Sequence, residues 1–362
     1  MSKVIDVVIV NYRSAVDSLA AIAGLSPWRQ GRIWLVDNSE DTAEAARLAS
    51  ALAGNPAVHL LVPERNLGFG GGCNLAFQQS SAEYILLLNP DARIDEHNIS
   101  LLAETMRRYP EFGGVSPKTY WDPARRFVLP SAFPPTPLVT VAMTLAQHSP
   151  RLAKYAAGRY LRRMRRDMAS SQAYRVAFLV GAVMLLRRSA VLAAGGLFDP
   201  EYFMFYEDSD LSLRLRRAGY RLGIVPLAEA VHEYRHIPFK ADLMAESGQI
   251  YFARNFPRFY RWTGRLSRLA GWGRPVIPDQ WGEILPRPIS TPEDLHAQLS
   301  GSGIVALSPS VMMMPALFRP AGADPVGLSA EDWERIEPGF CMLACSARED
   351  GSSLRWVGFK RA

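Results

Sequence analysis

The sequence predicts an α/β fold with a mostly parallel central sheet and a small C-terminal accessory region. β-Branched and apolar runs alternate with helical segments through the first ninety residues, and several of the runs end abruptly in polar turns. Strands that alternate with helices form parallel sheets with helices on both faces. The carboxyl ends of parallel strands share one edge, and open sheets bind their ligands there.

The order of the elements follows from these runs. We expect strands at 4–10, 33–36, 58–62 and 85–88, and helices at 15–25, 42–52 and directly after the glycine-rich turn 66–72. The residues Asn11, Asp37 and Asp91 follow three of the expected strands. They are therefore predicted to lie on one rim of the sheet.

Length and cysteine content limit the class of protein. A chain of 362 residues is long enough for a large α/β domain and a smaller unit. Its three cysteines are too few for a disulfide framework, which predicts a reducing compartment. The longest apolar run, residues 178–186, is far shorter than the roughly 20 residues that span a bilayer. With no secretion signal at its start, the sequence predicts a cytoplasmic protein.

The net charge of +6 is unevenly distributed. No acidic residue lies between Asp122 and Asp167, whereas nine lysines and arginines do. Such a segment binds anions, and an anionic lipid surface, a diphosphate and nucleic acid are all open, as is a solvated helix face. The basic amphipathic stretch 152–168 and the aromatic and arginine-rich stretch 251–262 suit a membrane surface. Packing against the main domain is the alternative for both, and no nucleic-acid motif accompanies them.

The glycine-rich turn invites comparison with a dinucleotide-binding fingerprint. That fingerprint follows the first strand, whereas Gly68 and Gly70 follow the third. The glycines are better explained as backbone that approaches a ligand closely, with Asn66 or Asn74 supplying hydrogen bonds. A tight turn without a ligand is the alternative.

Three carboxylates cluster where a further helix is expected to begin, at about residue 207. Leu211 and Leu215 recur at helical spacing, which places Glu207, Asp208 and Asp210 in the first turn. The helix dipole stabilises a carboxylate there and explains one of them. Three within four positions are more than capping requires.

Short motifs along the chain occur in a characteristic order. They are Val10-Asn11-Tyr12, Val36-Asp37-Asn38, Asn66-x-Gly68-Phe69-Gly70, Leu88-Asn89-Pro90-Asp91, Gly181-Ala182, Gly196-x-Phe198-Asp199, Tyr206-Glu207-Asp208-x-Asp210-Leu211 and His232. The chain thus resembles family 2 glycosyltransferases over residues 4–236, and within them a rhamnosyltransferase-like branch with Asn-Pro-Asp in place of Asp-x-Asp. The resemblance implies a GT-A fold, a nucleotide-sugar donor, a divalent cation and inversion at the anomeric carbon.

The resemblance also assigns roles in the transfer reaction. Asp208 is implied as the base that takes the proton of the acceptor hydroxyl, with Glu207 orienting a sugar and Asp210 serving as cap or support. Asp91 is implied as the anchor of Mn²⁺ or Mg²⁺, joined by His232. The cation stabilises the departing diphosphate.

Donor recognition is implied at the same rim. Tyr12 would stack on the base and Asp37 would accept a hydrogen bond from a pyrimidine imide, which favours UDP- or dTDP-sugars over GDP-sugars. Arg65 would contact the base or the diphosphate, or is simply an exposed loop arginine. Asn89 carries no charge, so it would position the strand end or contact the ribose rather than hold the metal. The remaining predicted donor-binding residues are Asn11, Asn66 and Gly68.

The sequence predicts three regions along the chain and a glycosyl-transfer function. Residues 1–236 are predicted as the GT-A domain with a basic insertion at about 120–174, residues 237–274 as an aromatic and basic helical segment, and residues 275–362 as an accessory module with strands at 340–345 and 354–359. The predicted function is inverting transfer of a sugar, with rhamnose the candidate, to a glycan or lipid-linked acceptor in cell-surface polysaccharide synthesis. Peripheral contact with an anionic membrane and a homodimer are further expectations, and nucleic acid is not an expected partner. A sugar nucleotidyltransferase and a catalytically silent glycan-binding or scaffold protein are the alternatives.

Overall fold

A computed structural model describes residues 4–130, 133–147, 149–233, 240–270, 283–298, 304–308, 316–320, 327–336, 338–346 and 354–362. The chain forms two compact units. Unit 1 consists of Met1–Thr119 and Ser171–Thr263, and unit 2 of Tyr120–Ser170 and Gly264–Ala362. Residues 120–170, most of the insertion predicted at about 120–174, thus group with the C-terminal part of the chain. The predicted limits at 236 and 274 stay predictions.

The secondary structure comprises strands and helices in the following order. The strands are β1 Ile5–Asn11, β2 Ile33–Asp37, β3 Val58–Leu61, β4 Tyr84–Leu88, β5 Ala92–Arg93, β6 Phe112–Tyr120, β7 Val128–Leu129, β8 Tyr174–Val176, β9 Val183–Arg187, β10 Arg221–His232, β11 Glu283–Ile284, β12 Ile304–Ser308, β13 Leu317–Pro320, β14 Gly339–Ser346 and β15 Leu354–Arg361. The helices are α1 Ala15–Gly24, α2 Thr42–Leu52, α3 Gly68–Gln79, α4 Glu96–Arg108, α5 Pro137–Gln147, α6 Pro150–Ala169, α7 Arg188–Ala193, α8 Glu207–Arg217, α9 Lys240–Asn255, α10 Pro257–Ala270, α11 Pro292–Gln298 and α12 Ala330–Glu334.

Unit 1 is built on a mixed, mostly parallel sheet in the order β6-β9-β4-β1-β2-β3. The strands β3, β2, β1 and β4 are mutually parallel, and β9 inserts antiparallel between β4 and β6. The long strand β10 pairs antiparallel with β5 and β8. This arrangement confirms the predicted α/β class, in which consecutive strands and helices alternate.

Alternate residues of each central strand face opposite layers of helices. In β1, Val7 and Ile9 lie in a core formed with α1 and α4. Their neighbours Val8 and Val10 lie in a second core formed with α3, α7 and α8. Because both faces are covered, the central strands are mostly apolar, and Asn11 and Asp37 stand at the carboxyl ends of β1 and β2.

The glycine-rich turn brings a distant segment against α3. Gly68 has a φ of +71°, and a Cβ atom there would lie 2.1 Å from the carbonyl oxygen of Phe203. The next amide, that of Phe69, donates a 3.0 Å hydrogen bond to the same oxygen. The Asn74 side chain donates to the Phe198 carbonyl and accepts from its amide, at 2.8 and 3.0 Å. The glycine thus permits a close approach to another part of the chain, and its contact with a ligand stays a prediction.

The strands of unit 2 lie in the order β11-β15-β14-β12-β13-β7. Its core includes Phe127, Trp333 and Phe359, and the two strands expected near the C-terminus are confirmed as β14 and β15. Residues 271–282, and residues 347–353 between the two strands, lie outside the described part of the chain. No helix in the described parts of the chain has the length and hydropathy needed to cross a membrane.

Candidate active site

Three predicted polar residues lie on the carboxyl edge of the unit 1 sheet. Asn11 and Asp37 end β1 and β2 and are direct partners in the parallel register. Asn89 follows β4, which pairs with the other side of β1. Asn11, Asp37 and Asn89 therefore lie at the ends of three adjacent strands, and Asp91, the third residue expected on this rim, follows Asn89 by two positions in the chain.

Asn11 organises this rim from within the protein. Its buried amide donates to Asp37 Oδ1 at 2.9 Å and to Glu44 Oε1 at 3.2 Å. Its carbonyl oxygen accepts from the Ser18 hydroxyl at 2.8 Å and from the amide and hydroxyl of Ser14 at 3.2 and 3.1 Å. These bonds use the hydrogen-bonding capacity of the Asn11 side chain, which therefore orients Asp37. Direct contact of Asn11 with a nucleotide-sugar donor stays a prediction. No local pattern distinguishes Glu44 or Ser18 from ordinary helix residues, and sequence reasoning missed both.

Several buried oxygen atoms at the rim have no hydrogen-bond partner among the described residues. They are Asp37 Oδ2, Asn38 Oδ1, Asn89 Oδ1 and Glu207 Oε2. Buried polar atoms are almost always hydrogen-bonded, so a cluster of unsatisfied oxygens indicates where a ligand binds. The Asn38 amide is held in place because it donates to the Gly68 carbonyl at 2.8 Å.

Glu207 and Asp208 are the first two residues of α8. Glu207 is buried, and both its burial and the charge of Asp208 raise its pKa. Asp208 is half-buried, and desolvation raises its pKa as well. Since two adjacent carboxylates in such a setting do not both ionise readily, the pair holds a proton above the ordinary range of either group.

Backbone contacts place Asp208 beside the rim. Its Oδ2 accepts from the Gly181 amide at 3.1 Å, and its Oδ1 accepts from the Ser209 hydroxyl at 3.2 Å. The residue after Gly181 is Ala182, whose carbonyl accepts from the Asn89 amide at 2.8 Å. Asp208 is thus oriented, partly accessible and next to the end of β4, as a general base requires.

Asp91 and His232 form the predicted metal-binding pair. Asp91 Oδ1 lies 3.2 Å from His232 Nε2, and β10 delivers His232 by pairing it with Ala92 of β5. Donors that hold one small cation side by side lie about 3 Å apart, so a carboxylate oxygen and an imidazole nitrogen at this spacing fit Mn²⁺ or Mg²⁺. Within the described ranges no group of three or more such side chains exists. Further ligands would therefore come from substrate phosphates and water.

Asp210 has a different role from the cap that the sequence allows. It lies inside α8, fully buried, and accepts from Arg214 at 2.6 Å and from the Asn255 amide at 3.0 Å. Arg214 in turn donates to the carbonyls of Gly196 and Leu197 at 2.7 and 2.6 Å. Asp210 therefore fixes the loop before the acidic pair and supports the site from behind.

The turn that precedes Glu207 is strained. Phe205 and Tyr206 have φ values of +71° and +64°, a left-handed conformation that costs a non-glycine residue about 1–3 kcal/mol. Helix α9 holds the turn, because the Ser247 hydroxyl donates to the Met204 carbonyl at 2.7 Å and the Tyr206 ring lies 5.3 Å from that of Tyr251. Strain of this kind persists at functional sites when the surroundings enforce it. Sequence reasoning missed this brace because α9 lies far along the chain.

The other predicted donor-binding residues lie around the rim. Tyr12 directly follows β1 and is 45% exposed, and Arg65 is exposed in the turn between β3 and α3. Asn66 Oδ1 accepts from the Gly68 amide at 2.9 Å, which shapes the first turn of α3. Ligand contacts by these residues stay predictions.

A mostly parallel sheet of this order, with amides, carboxylates and an acidic pair at its carboxyl edge, is the architecture of a glycosyltransferase of the GT-A class. A family model described as Glycosyl transferase family 2 matches residues 7–193. The chain belongs to this family, which confirms the resemblance drawn from the motifs.

Two relatives and one solved structure are similar to this chain. The chain is 30% identical over 253 residues to the N-acetylglucosaminyl-diphospho-decaprenol L-rhamnosyltransferase of Mycobacterium tuberculosis, which covers 65% of this chain and 78% of the relative. It is 46% identical over 61 residues to the rhamnosyltransferase WbbL of Escherichia coli, covering 17% and 23% of the two chains. The structure of GalNAc-T7 with UDP, GalNAc and Mn²⁺ superposes with a TM-score of 0.52 at 13% identity, over 77% of this chain and 53% of that chain, and shows a shared fold alone.

Proposed function

We propose that this glycosyltransferase moves a rhamnosyl residue, with inversion, from a nucleoside-diphosphate donor to a hydroxyl of a lipid-linked glycan during cell-surface polysaccharide synthesis. The observation that carries the reaction is Asp208, half-buried and held by the Gly181 amide beside the end of β4. The sugar and the acceptor rest on the names of the relatives, which are an L-rhamnosyltransferase acting on N-acetylglucosaminyl-diphospho-decaprenol and a second rhamnosyltransferase.

Asp208 acts as general base in this proposal. The acceptor oxygen attacks the anomeric carbon, the bond from that carbon to the diphosphate oxygen breaks, and its electron pair leaves with the diphosphate. The proton of the acceptor hydroxyl moves to Asp208, whose raised pKa makes it a stronger base than an ordinary aspartate. Glu207, protonated beside it, donates a hydrogen bond to a sugar hydroxyl instead of adding a second negative charge.

In this proposal Asp37 recognises the nucleobase of the nucleotide-sugar donor. Its unsatisfied Oδ2 accepts the imide N–H of uracil or thymine, while Asn11 and the Ser39 amide hold Oδ1 at 2.9 and 3.1 Å. The exposed ring of Tyr12 supplies the stacking surface. A UDP- or dTDP-sugar is therefore favoured over a GDP-sugar.

Asp91 and His232 hold a divalent cation in this proposal. When bound, the cation neutralises charge on the departing diphosphate. A lipid-linked acceptor places the enzyme at the cytoplasmic face of a membrane as a peripheral protein, and the homodimer expected from the sequence stays a prediction.

Asp208→Asn tests the base. We expect this variant to lose glycosyl transfer by at least about 10³-fold while its thermal stabilisation by the donor is kept, because an amide cannot accept the proton but preserves the shape of the site. Asp17→Asn, which changes a surface carboxylate of α1, is the matched control and should retain full turnover. Full turnover by Asp208→Asn would refute the assignment.

The assay also separates the alternatives. Release of nucleoside diphosphate that depends on an acceptor supports glycosyl transfer, whereas formation of pyrophosphate from a nucleoside triphosphate would identify a nucleotidyltransferase. Donor binding without release of either product, with Mn²⁺ and a membrane extract present, would identify a silent binding protein.

Asp91→Asn and His232→Ala test the metal. In a thermal-shift panel of UDP-, dTDP- and GDP-sugars, we expect Mn²⁺ to increase the stabilisation that the preferred donor gives to the unchanged chain. Both variants should lose the Mn²⁺-dependent part and keep the metal-independent part. A Mn²⁺ response that survives in both would place the cation elsewhere.

A further inference from the structure

The helices α5 and α6 of unit 2 pack together and are joined by only two residues, 148 and 149. We call this pair the hairpin. Its first helix belongs to an uncharged stretch, since no aspartate, glutamate, lysine or arginine occurs from 127 to 150. Leu138 and Leu145, one face of the helix at a spacing of seven residues, are 79% and 48% exposed. An uncharged helix with two leucines this exposed on one face offers an apolar surface to a partner.

The second helix carries the cations. Its exposed stripe follows the helical spacing i, i+4, i+8, i+11, i+15 and consists of Arg151, Tyr155, Arg159, Arg162 and Arg166. The first turn adds Lys154 and Leu152, both exposed, and the guanidinium of Arg159 lies 5.9 Å from the centre of the Tyr155 ring. Basic residues interleaved with an exposed leucine and tyrosine suit the boundary between lipid head groups and acyl chains.

The opposite face of α6 is already occupied within unit 2. Tyr160, Leu161 and Met164 are buried in a cluster with Phe318 of β13 and Ala306 of β12. These three apolar residues therefore cannot meet a membrane, although the sequence alone placed them in the amphipathic stretch. Because this face of α6 is buried, the cationic stripe on the opposite face is exposed to solvent.

The single acidic residue of α6 offsets only the Arg166 end of the stripe. Asp167 has a side chain only 7% exposed, and it pairs with Arg163 at 3.3 Å and with Arg166 at 3.2 Å. These two ion pairs do not include four exposed cations of α6, which are Arg151, Lys154, Arg159 and Arg162. The outer surface of α6 is therefore strongly positive.

We propose that the hairpin docks the protein on an anionic phospholipid bilayer. Leu138, Leu145, Leu152 and Tyr155 enter the head-group boundary, and the arginines of the stripe bind lipid phosphates. Charge decides the occupant, because a second copy seated on this face would bring like charges together, and an acidic protein would leave the uncharged helix uncovered. The inference goes beyond the proposed reaction, since it involves no residue of the active site.

Co-sedimentation of the full chain with vesicles tests the proposal. We expect binding to vesicles of phosphatidylglycerol and phosphatidylcholine to exceed binding to pure phosphatidylcholine by at least tenfold, and to weaken as salt rises. Two variants probe the two helices, an apolar variant with Leu138→Ser and Leu145→Ser, and a cation variant with Arg151→Glu, Arg159→Glu and Arg162→Glu. Each should bind the anionic vesicles at least tenfold more weakly, with an unchanged melting temperature.

A matched control carries the same change of charge elsewhere. Arg29→Glu, Arg47→Glu and Arg107→Glu alter exposed arginines of unit 1 and should leave vesicle binding within about twofold, apart from the general effect of net charge. Equal loss in this control and in the cation variant would overturn the proposal.

Other outcomes also decide against it. Full binding by both hairpin variants, with loss on Arg258→Glu and Arg261→Glu, would assign membrane contact to α10 instead. A dimer that the leucine substitutions disperse, without vesicle binding by the unchanged chain, would assign the face to a second copy. Asp208→Asn separates this question from catalysis, because it should sediment with anionic vesicles as the unchanged chain does.

Discussion

At the scale of single residues, Glu207 combines burial with a negative neighbour and one carboxylate oxygen that has no hydrogen-bond partner among the described residues. These conditions raise its pKa to about 8 from an ordinary value of 4.5. The folded chain consequently binds more protons than the unfolded chain between those two values. The contribution of Glu207 to the free energy of unfolding therefore falls as the pH rises from about 4.5 to about 8.

Glu207→Gln should remove this loss of stability. The amide keeps the shape of the side chain without a charge, so the variant should lack the fall of about 1.4 kcal/mol per pH unit that one extra bound proton causes, and should be the more stable chain at pH 8. Urea unfolding between pH 5 and 8 measures the effect. Glu64→Gln, which changes an exposed glutamate of the same unit, should reproduce the pH dependence of the unchanged chain. Parallel curves for Glu207→Gln and the unchanged chain would show that Glu207 is ionised in the folded state.

Asp37 shows what local sequence reveals at this scale. A carboxylate directly after a buried strand is visible in the sequence, and its place on the rim was predicted correctly. The groups that orient it were not visible, because Asn11 reaches it from an adjacent strand and Glu44 reaches Asn11 from a helix 33 residues away. Hydrogen bonds between elements depend on packing, which a local pattern does not encode.

At the scale of elements, α9 braces the turn that presents the acidic pair. Ser247→Ala removes the hydrogen bond to the Met204 carbonyl and should cost about 1 kcal/mol of stability. Because the strained turn then relaxes, we expect kcat to fall about tenfold while the KM for the donor stays within twofold. Steady-state kinetics at saturating acceptor measure both constants.

Ser80→Ala is the matched control for this brace. Its hydroxyl is also buried and donates to Asp6 at 2.7 Å, far along the chain from α9. It should lower stability to a similar extent and leave kcat unchanged. An equal fall in kcat for both variants would mean that Ser247 acts through general stability alone.

Local patterns predicted some elements correctly and left the surroundings of α9 undecided. The strands β1 to β4 and the helices α1 and α2 were predicted within a few residues, because their apolar runs and polar ends are local signals. Tyr251, by contrast, was assigned to an aromatic and basic surface stretch with packing as the alternative, and it is 1% exposed beside Tyr206. Arginine and aromatic residues alternate in both settings, so the pattern does not distinguish a surface from a cluster that packs.

At the scale of the whole molecule, the two units have separate cores, and we expect them to have separate roles. Every residue assigned to donor, metal or base lies in unit 1. Phe359→Ala, at a fully buried position of unit 2, should lower the stability of that unit by about 3–5 kcal/mol and leave the donor dissociation constant unchanged. Leu86→Ala, equally buried in unit 1, should weaken donor binding as unit 1 loosens. Denaturant unfolding and donor titration measure the two effects, and weaker donor binding by Phe359→Ala would contradict the division.

The organisation of the molecule was harder to predict than its class. The α/β class follows from alternation along the chain, whereas the return of residues 120–170 to the C-terminal unit follows from contacts such as Tyr160 with Phe318. A segment of basic and apolar residues looks the same in sequence whether its apolar face meets a sheet or a membrane. Only the packing of the folded chain shows which side chains of such a segment are buried and which stay exposed to solvent.

The insertion of β9 between β4 and β6 has a consequence for synthesis of the chain. The partner that covers the edge of β4 is Val183–Arg187, almost a hundred residues later, and β6 cannot take that place because β9 separates the two strands. While the ribosome makes the intervening residues, the hydrogen-bonding edge of an entirely apolar strand stays open, which is the condition under which nascent sheets aggregate. The strand that ends three residues before Asp91 thus forms part of the candidate site and also leaves an edge open to aggregation until β9 has been made.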